Sequence, residues 1–214
     1  KYILYLLLIV TLLPAPTIYS FVTNNWQKIE SNNFSVYYPS TNYYSAKETL
    51  KQLENNYNFV SKLTSNKLNK IPFILEDHGL SSNGIAYALQ PKSIIYLQSP
   101  GSNSFINQYE NWPRLVSTHE LTHLAHQTKV TGSILSTASF LFGNIVAPNI
   151  YSPTWLKEGI AILAESSSSL YEGRLNDSYF DAVIACKAKN QNISNLEIVT
   201  NPQLEFPLDS TYIY

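Results

Sequence analysis

The spacing of apolar residues in the first part of the chain predicts one strand followed by one helix. Phe34, Val36 and Tyr38 alternate with polar or exposed positions, which is typical of a half-buried strand. Across residues 46–64 the apolar positions are three and four apart, which predicts an amphipathic helix. The residues expected to face the core are Leu50, Leu53, Tyr57, Val60 and Leu63.

Three further short apolar runs, at residues 71–75, 85–89 and 93–98, predict three more strands. The order strand, helix, strand, strand, strand indicates an α+β fold with a small mixed sheet. Helical spacing then dominates, over residues 114–128, 152–165 and 182–189. We therefore expect an N-terminal lobe with the sheet and a first long helix, and a mostly helical C-terminal lobe.

The helix predicted at residues 114–128 contains the sequence HELTH at residues 119–123. His119 and His123 are four positions apart, so both imidazoles lie on one helical face and can reach one metal ion. Glu120 projects beside them, where a carboxylate can take a proton from a metal-bound water. Asn111 is expected to cap this helix, with Pro113 in its first turn. The motif predicts a zinc hydrolase.

A catalytic zinc site needs a third protein ligand and one open position for water. His126 is one candidate, although three ligands spread over two helical turns converge poorly on a tetrahedral ion. Glu158 is the stronger candidate, because Gly159 beside it would let two helices approach closely. Glu165 shares the face of Glu158 and would either orient a ligand histidine or form a surface salt bridge.

HELTH followed by TWLKEGIAILAE resembles the gluzincins, zinc metallopeptidases whose ligands are two His and one Glu. The chain is most similar to the peptidase MA-like domains that precede Tol-type β-propellers in secreted bacterial proteins. The shared features, in order, are LVSTHELTHLAHQ (115–127), FGN (142–144), PTWLKEGIAILAES (153–166), GRLNDSYFD (173–181) and the final YIY (212–214). The resemblance implies a zincin-like fold with a C-terminal β-propeller in the full-length protein.

By position, the resemblance makes His119, His123 and Glu158 the Zn²⁺ ligands and Glu120 the general base. Such a zinc ion lowers the pKa of its bound water to about 7. His126 would then lie behind the ligands. Tyr179 and Tyr212 are the candidates for the donor that stabilises the oxyanion, which no residue matches clearly.

The segment between His123 and Glu158 is longer than in thermolysin-type enzymes, so residues 130–151 must loop out. These residues, here called the apolar segment, contain no charged side chain. The first interpretation is a cover packed over the active-site cleft. The second is contact with the surface of a membrane.

The N-terminus combines Lys1, a run of apolar residues and Pro14, which is typical of a secretory signal peptide at residues 1–20. An uncleaved anchor and a buried strand are the alternatives. Residues 21–214 would then be one exported metallopeptidase domain, periplasmic or extracellular, truncated at its C-terminus. The lone Cys186 excludes an internal disulfide and is expected to be a small buried side chain.

Composition excludes one class of partner. A net charge of −1 without any Lys/Arg cluster argues against nucleic-acid binding. From the HELTH motif and the resemblance, hydrolysis of peptide bonds is the leading hypothesis, with substrate expected along an exposed strand edge at residues 85–87 or 94–97. A non-catalytic zincin-fold binding or scaffold module of the cell envelope is the alternative. Arg174 is expected to pair with Glu165 or Glu172, or else to face solvent.

Overall fold

The computed structural model describes residues 25–101 and 111–190. The first range contains β1 (Trp26–Glu30), β2 (Phe34–Pro39), α1 (Tyr43–Thr64), β3 (Ile71–Glu76), β4 (Gly84–Tyr87) and β5 (Lys92–Tyr96). The second contains α2 (Trp112–Gln127), α3 (Ser133–Phe142), α4 (Thr154–Ser167) and α5 (Ser178–Asn190). The chain is therefore an α+β protein, as predicted. The proposed signal peptide at residues 1–20 and Tyr212 lie outside the described residues.

The five strands form one mixed sheet in the order β1-β2-β3-β5-β4. The inner strands β2, β3 and β5 are parallel, whereas β1 and β4 are antiparallel to their neighbours and form the two edges. The strand β1 was not predicted, because its side chains are almost all exposed and show no alternation between buried and exposed positions.

Residues 85–87 and 94–97 were predicted as alternative strand edges for a substrate, and only the first range lies in an edge strand of the described sheet. Residues 85–87 belong to β4, which pairs only with β5 among the described strands. Residues 94–97 were the wrong choice, because Ile94 in β5 pairs with Ile74 on one side and with Ile85 on the other. A strand bonded on both sides has no free edge to offer a peptide.

The core lies between the sheet and helices α1 and α2. The predicted inward residues of β2, Phe34, Val36 and Tyr38, are indeed buried. Along α1, Leu53 and Val60 are buried, but the prediction for Leu63 was wrong, since it is 38% exposed in the last turn. The buried face continues to Thr64, so apolar spacing located the helix but placed Leu63 on the wrong side of it.

Helix α2 is the element that joins the parts of the fold, since it packs against α1, α4 and β4. Its predicted cap is confirmed: the side chain of Asn111 accepts a hydrogen bond of 3.0 Å from the backbone N–H of Arg114. Leu121 and Leu124 are buried in the core. The packing of these residues sets the orientation of α2 about its axis. It therefore also sets the direction in which the opposite face of the helix points.

The prediction that the apolar segment covers the cleft was wrong. Its residues form α3 and two short 3-10 turns, and their apolar side chains are largely exposed, with Ile134 at 84% and Phe140 at 88%. A cover packed on the cleft would bury these side chains. Ser133–Tyr151 also has the length and composition of a membrane span by mean hydropathy (1.2), and only 6% of it is buried.

Helix α5 begins four residues earlier than the predicted range of 182–189. The prediction that Cys186 is a small buried side chain was wrong, because Cys186 is exposed on this helix. Its thiol is therefore accessible to reagents.

Candidate metal centre

Three side chains from two helices converge at the surface between α2 and α4. His119 and His123 project from one face of α2, and Glu158 projects from the first half of α4. One ligand atom from each of the three lies within 4.8 Å of the other two. The structure therefore brings Glu158 beside two histidines that precede it by 35 and 39 positions in the chain, as predicted for metal ligands.

The separations between these atoms fit a tetrahedral ion. Nε2 of His119 lies 3.0 Å from Nε2 of His123 and 3.2 Å from Oε2 of Glu158, and Nε2 of His123 lies 3.4 Å from Oε1 of Glu158. Ligands held about 2.0–2.1 Å from a tetrahedral ion are about 3.3 Å apart. Two imidazole nitrogens and one carboxylate are also a donor set that zinc accepts. The residues present therefore fit a zinc ion.

A buried carboxylate fixes the orientation of His119. Oε2 of Glu165 lies 3.0 Å from Nδ1 of His119, and Glu165 is fully buried in α4. With Nδ1 protonated, His119 donates to Glu165 and turns the lone pair of Nε2 toward His123 and Glu158. The alternative of a surface salt bridge for Glu165 is thereby excluded.

Arg174 balances the charge of Glu165. Its Nε donates to Oε1 of Glu165 at 2.8 Å and its Nη2 donates to Oε2 at 3.2 Å, a bidentate pair with almost no exposure to water. The expected pairing of Arg174 with Glu165 is confirmed. Gly173 permits this placement, because its φ is +103° and a Cβ there would overlap the backbone of Ser166.

The ion pairs shift the pKa values of the centre. Burial lowers the pKa of His119, but hydrogen bonds to Glu158 and Glu165 outweigh burial and raise it to about 9. Burial raises the pKa of Glu158 and of Glu165, yet their hydrogen bonds and ion pairs, with His119 in both cases, outweigh it, so both values lie below 4.5. Without a metal, therefore, the imidazole of His119 is positively charged and lies between the two ionised carboxylates of Glu158 and Glu165.

Glu120 is buried beside the three ligands. Burial raises the pKa of its carboxyl group, while the nearby charges of His119 and His123 lower it less strongly. Its Oε2 is inaccessible to water and has no hydrogen-bond partner among the described residues. A buried carboxylate oxygen without a partner is costly, which favours a role in which a water or a substrate group supplies the missing proton.

Strand β4 crosses directly over Glu120. A Cβ atom at Gly84 would come within 2.5 Å of Oε1 of Glu120 and within 2.7 Å of a methyl group of Val116. Only glycine lets the strand pass this close. The sequence analysis missed Gly84, because no local pattern links residue 84 to residue 120.

A second residue that the sequence did not reveal, Arg114, ties the two ligand helices together. It lies in the first turn of α2 and is 8% exposed. Its Nη1 donates to the backbone oxygen of Glu165 at 3.2 Å and to Ser168 Oγ at 2.7 Å, and its Nε donates to Glu172 at 2.6 Å. The C-terminal end of α4 is thus tied to the first turn of α2.

The other residues singled out from the sequence are not among the three converging ligands. His126 is in the last turn of α2, outside the group of potential ligands, and its buried Nδ1 has no partner within the described ranges. Tyr179 lies at the start of α5, 39% exposed, with its ring edge-on to Phe180. Gly159 does not serve the helix contact as expected, since a Cβ there would meet nothing within 4 Å. The buried Ala161 and Ala164 are the small residues of α4 instead.

Comparison of this chain with models of known protein families, with curated proteins and with solved structures finds no match.

Proposed function

We propose that this protein is a zinc-dependent metallopeptidase of the gluzincin type, with a zincin-like fold. The observation that carries the proposal is the convergence of His119, His123 and Glu158 at distances suited to a tetrahedral ion, with Glu120 buried beside them. The resemblance of residues 115–181 to peptidase MA-like domains supports the same conclusion.

A zinc ion at this centre would supply a Lewis acid and a water of lowered pKa. Glu120 would accept a proton from that water as it attacks the scissile carbonyl, and would then pass the proton to the leaving amine. The raised pKa of Glu120 suits this role, because burial makes its carboxylate a stronger base than a carboxylate in water. Glu165 and Arg174 would hold His119 in the ligating orientation.

The edge strand β4 is the element best placed to align a peptide. Its outer edge is unpaired among the described strands, and Gly84 brings its backbone against Glu120. A substrate in extended conformation would add to this edge through backbone hydrogen bonds and so pass over the metal. The main-chain contacts would accept many sequences, with selection left to side-chain pockets.

Export of the protein rests on its sequence. The composition of residues 1–20 supports a signal peptide, or else an anchor, and a signal peptide would direct the domain to the periplasm or outside the cell. A Tol-type β-propeller following the domain is part of the same proposal, because it depends on the resemblance alone.

The test compares three carboxylate variants of the full chain. Glu120→Gln should bind one zinc per chain and lose peptide hydrolysis by a factor of at least about 100. Glu158→Gln should lose zinc and activity together, and Glu48→Gln, on the exposed side of α1, should change neither. Zinc is measured by atomic emission and hydrolysis by mass spectrometry of a digested peptide library.

Two results would count against the proposal. Full activity of Glu120→Gln would rule out the proposed general base. One zinc per chain with no hydrolysis of any library peptide by the unmodified protein would favour the alternative, a non-catalytic binding or scaffold module of the envelope.

A further inference from the structure

Exposed large apolar side chains are concentrated on helix α3 and the turn after it. Ile134, Phe140, Leu141 and Phe142 are 84, 88, 65 and 68% exposed, and Ile145 in the 3-10 turn is 53% exposed. The main contacts of α3 are with this turn rather than with the domain. Burying large apolar side chains is favourable, so such a surface is rarely left in water.

The distribution of these side chains around α3 argues against a groove in a protein partner. Phe140, Leu141 and Phe142 are consecutive, and successive helical residues differ by about 100° in direction. Together with Ile134 they span about 200° of the helix, with Ser133 and Thr137 among them. A helix that docks in a groove presents a narrower stripe, whereas so broad an apolar arc fits the boundary of a membrane.

Two side-chain hydroxyls of the segment form hydrogen bonds within it. The hydroxyl of Thr137 donates to the backbone oxygen of Ser133 at 2.9 Å, and the hydroxyl of Tyr151 donates to the backbone oxygen of Ile145 at 2.7 Å. In an apolar medium no water is available to replace such bonds, so internal pairing is what that environment requires. The tyrosine also has the amphipathic character common at membrane surfaces.

The charges that flank the segment suit a lipid surface. Residues 130–156 carry no charge, and the first charged residue on each side is a lysine, Lys129 and Lys157. Both ammonium groups lie near His126 at the end of α2, where they help to lower its pKa. Lysines at the border of an apolar element can extend toward anionic headgroups.

The length of α3 limits how deep it can go. Ten helical residues span about 15 Å, half of the roughly 30 Å of a bilayer core. Gly143 and the two 3-10 turns then interrupt the helix. We propose that α3 and the turn Gly143–Val146 dock on one leaflet of a phospholipid bilayer, with Phe140, Leu141 and Phe142 inserted at the boundary between headgroups and acyl chains. This surface is independent of the proposed activity.

The docked segment is tied to the metal centre by two asparagines. The side chain of Asn144 donates to the backbone oxygen of Ala88, next to β4, and that of Asn149 donates to the backbone oxygen of His126 on α2, both at 2.9 Å. Lipid contact at α3 therefore places strand β4 and helix α2 at the membrane surface.

The experiment uses the full chain and attaches an environment-sensitive fluorophore to α3. Because the fluorophore reports only on its own surroundings, membrane binding by residues 1–24 does not by itself give a signal. Cys186→Ser removes the native thiol, and Leu141→Cys then carries a nitrobenzoxadiazole fluorophore. The matched control carries the same probe at Lys47→Cys on the exposed face of α1. Vesicles contain equal parts of phosphatidylcholine and phosphatidylglycerol.

On adding vesicles, emission from position 141 should shift to the blue and become protected from aqueous iodide, while the probe at position 47 stays in water. Adding Phe140→Asp and Phe142→Asp should reduce the shifted fraction at least about tenfold, with an unchanged circular dichroism spectrum. An aqueous signal at position 141 with vesicles present would overturn the proposal.

Two other outcomes would also overturn it. A blue shift without vesicles that grows with protein concentration would show that a second copy of the chain covers α3. A blue shift without vesicles that is independent of concentration would show that another part of the same chain covers it, such as apolar residues 2–13.

Discussion

Gly84 of β4 lies so close to Glu120 of α2 that a Cβ atom at position 84 would come within 2.5 Å of Oε1 of that carboxylate. The same Cβ would come within 2.7 Å of Cγ of Glu120 and of a methyl group of Val116, so turning the carboxylate alone does not relieve the overlap, and Gly84→Ala must displace either the strand or the proposed base. We expect kcat/KM for peptide hydrolysis to fall by a factor of about 100, with zinc content unchanged. Steady-state kinetics and metal analysis would measure both.

Gly159→Ala is the matched control for that variant. Its Cβ would meet nothing within 4 Å, and α4 would gain the helix propensity of alanine, so activity should not fall. The free energy of unfolding should rise by up to about 1 kcal/mol in a denaturant titration. A similar loss of activity in both variants would show that the contact with Glu120 is not the cause.

Removing the negative charge of Glu165 should weaken both the metal centre and the fold. Glu165→Gln leaves the buried guanidinium of Arg174 without its counter-charge and His119 with a poorer acceptor. We expect zinc affinity to fall by about 10–100-fold and the free energy of unfolding to fall by about 3 kcal/mol. Competition with a chelator and denaturant titration test the two effects, and wild-type zinc affinity would contradict the role given to Glu165.

Zinc affinity should increase with pH until the pKa of metal-free His119 is passed. That pKa is raised to about 9, so below pH 9 zinc must displace a proton from His119. The logarithm of the association constant should therefore rise by about one per pH unit from neutrality and level off above pH 9. Chelator competition across this range measures the slope, and an affinity independent of pH would contradict the protonated state of His119.

The stability of the metal-free protein should fall both at alkaline pH and at acidic pH. The contribution of His119, whose pKa is raised from 6.5, is complete below pH 6.5 and is lost as pH rises through about 9. The contributions of Glu158 and Glu165, whose pKa values are lowered from 4.5, are complete above pH 4.5 and are lost in acid. We therefore expect maximum stability between about pH 4.5 and 6.5, measured by urea denaturation in a chelating buffer.

The sequence predicted those features that depend on local spacing. HELTH puts two imidazoles on one helical face, and the alternation at Phe34, Val36 and Tyr38 marks a strand, because a helix and a strand repeat at fixed intervals. Glu158 was predicted instead from the glycine beside it and from the resemblance to the gluzincins. Local spacing does not determine how α4 returns to α2 across the apolar segment and so places Glu158 beside His119.

Spacing could not reveal contacts between distant backbones. Gly84 and Arg114 act through residues 36 or more positions away, and nothing beside them in the sequence marks that contact. The cover expected from the apolar segment failed for a related reason. Apolar composition indicates that a surface avoids water, but it does not specify whether protein or another medium covers it.

Arg114 has a consequence for how the centre would take up its metal. By bonding to the backbone of Glu165 and to Ser168, it holds α4 against α2 through protein contacts alone. In zinc fingers the ion itself drives folding, and the metal-free chain is disordered. Here the ligands are assembled beforehand, so the entropy of ordering them is lost when the chain folds rather than when zinc arrives. Uptake and removal of the ion should then be a reversible exchange at a rigid receptor, with little change in the circular dichroism spectrum.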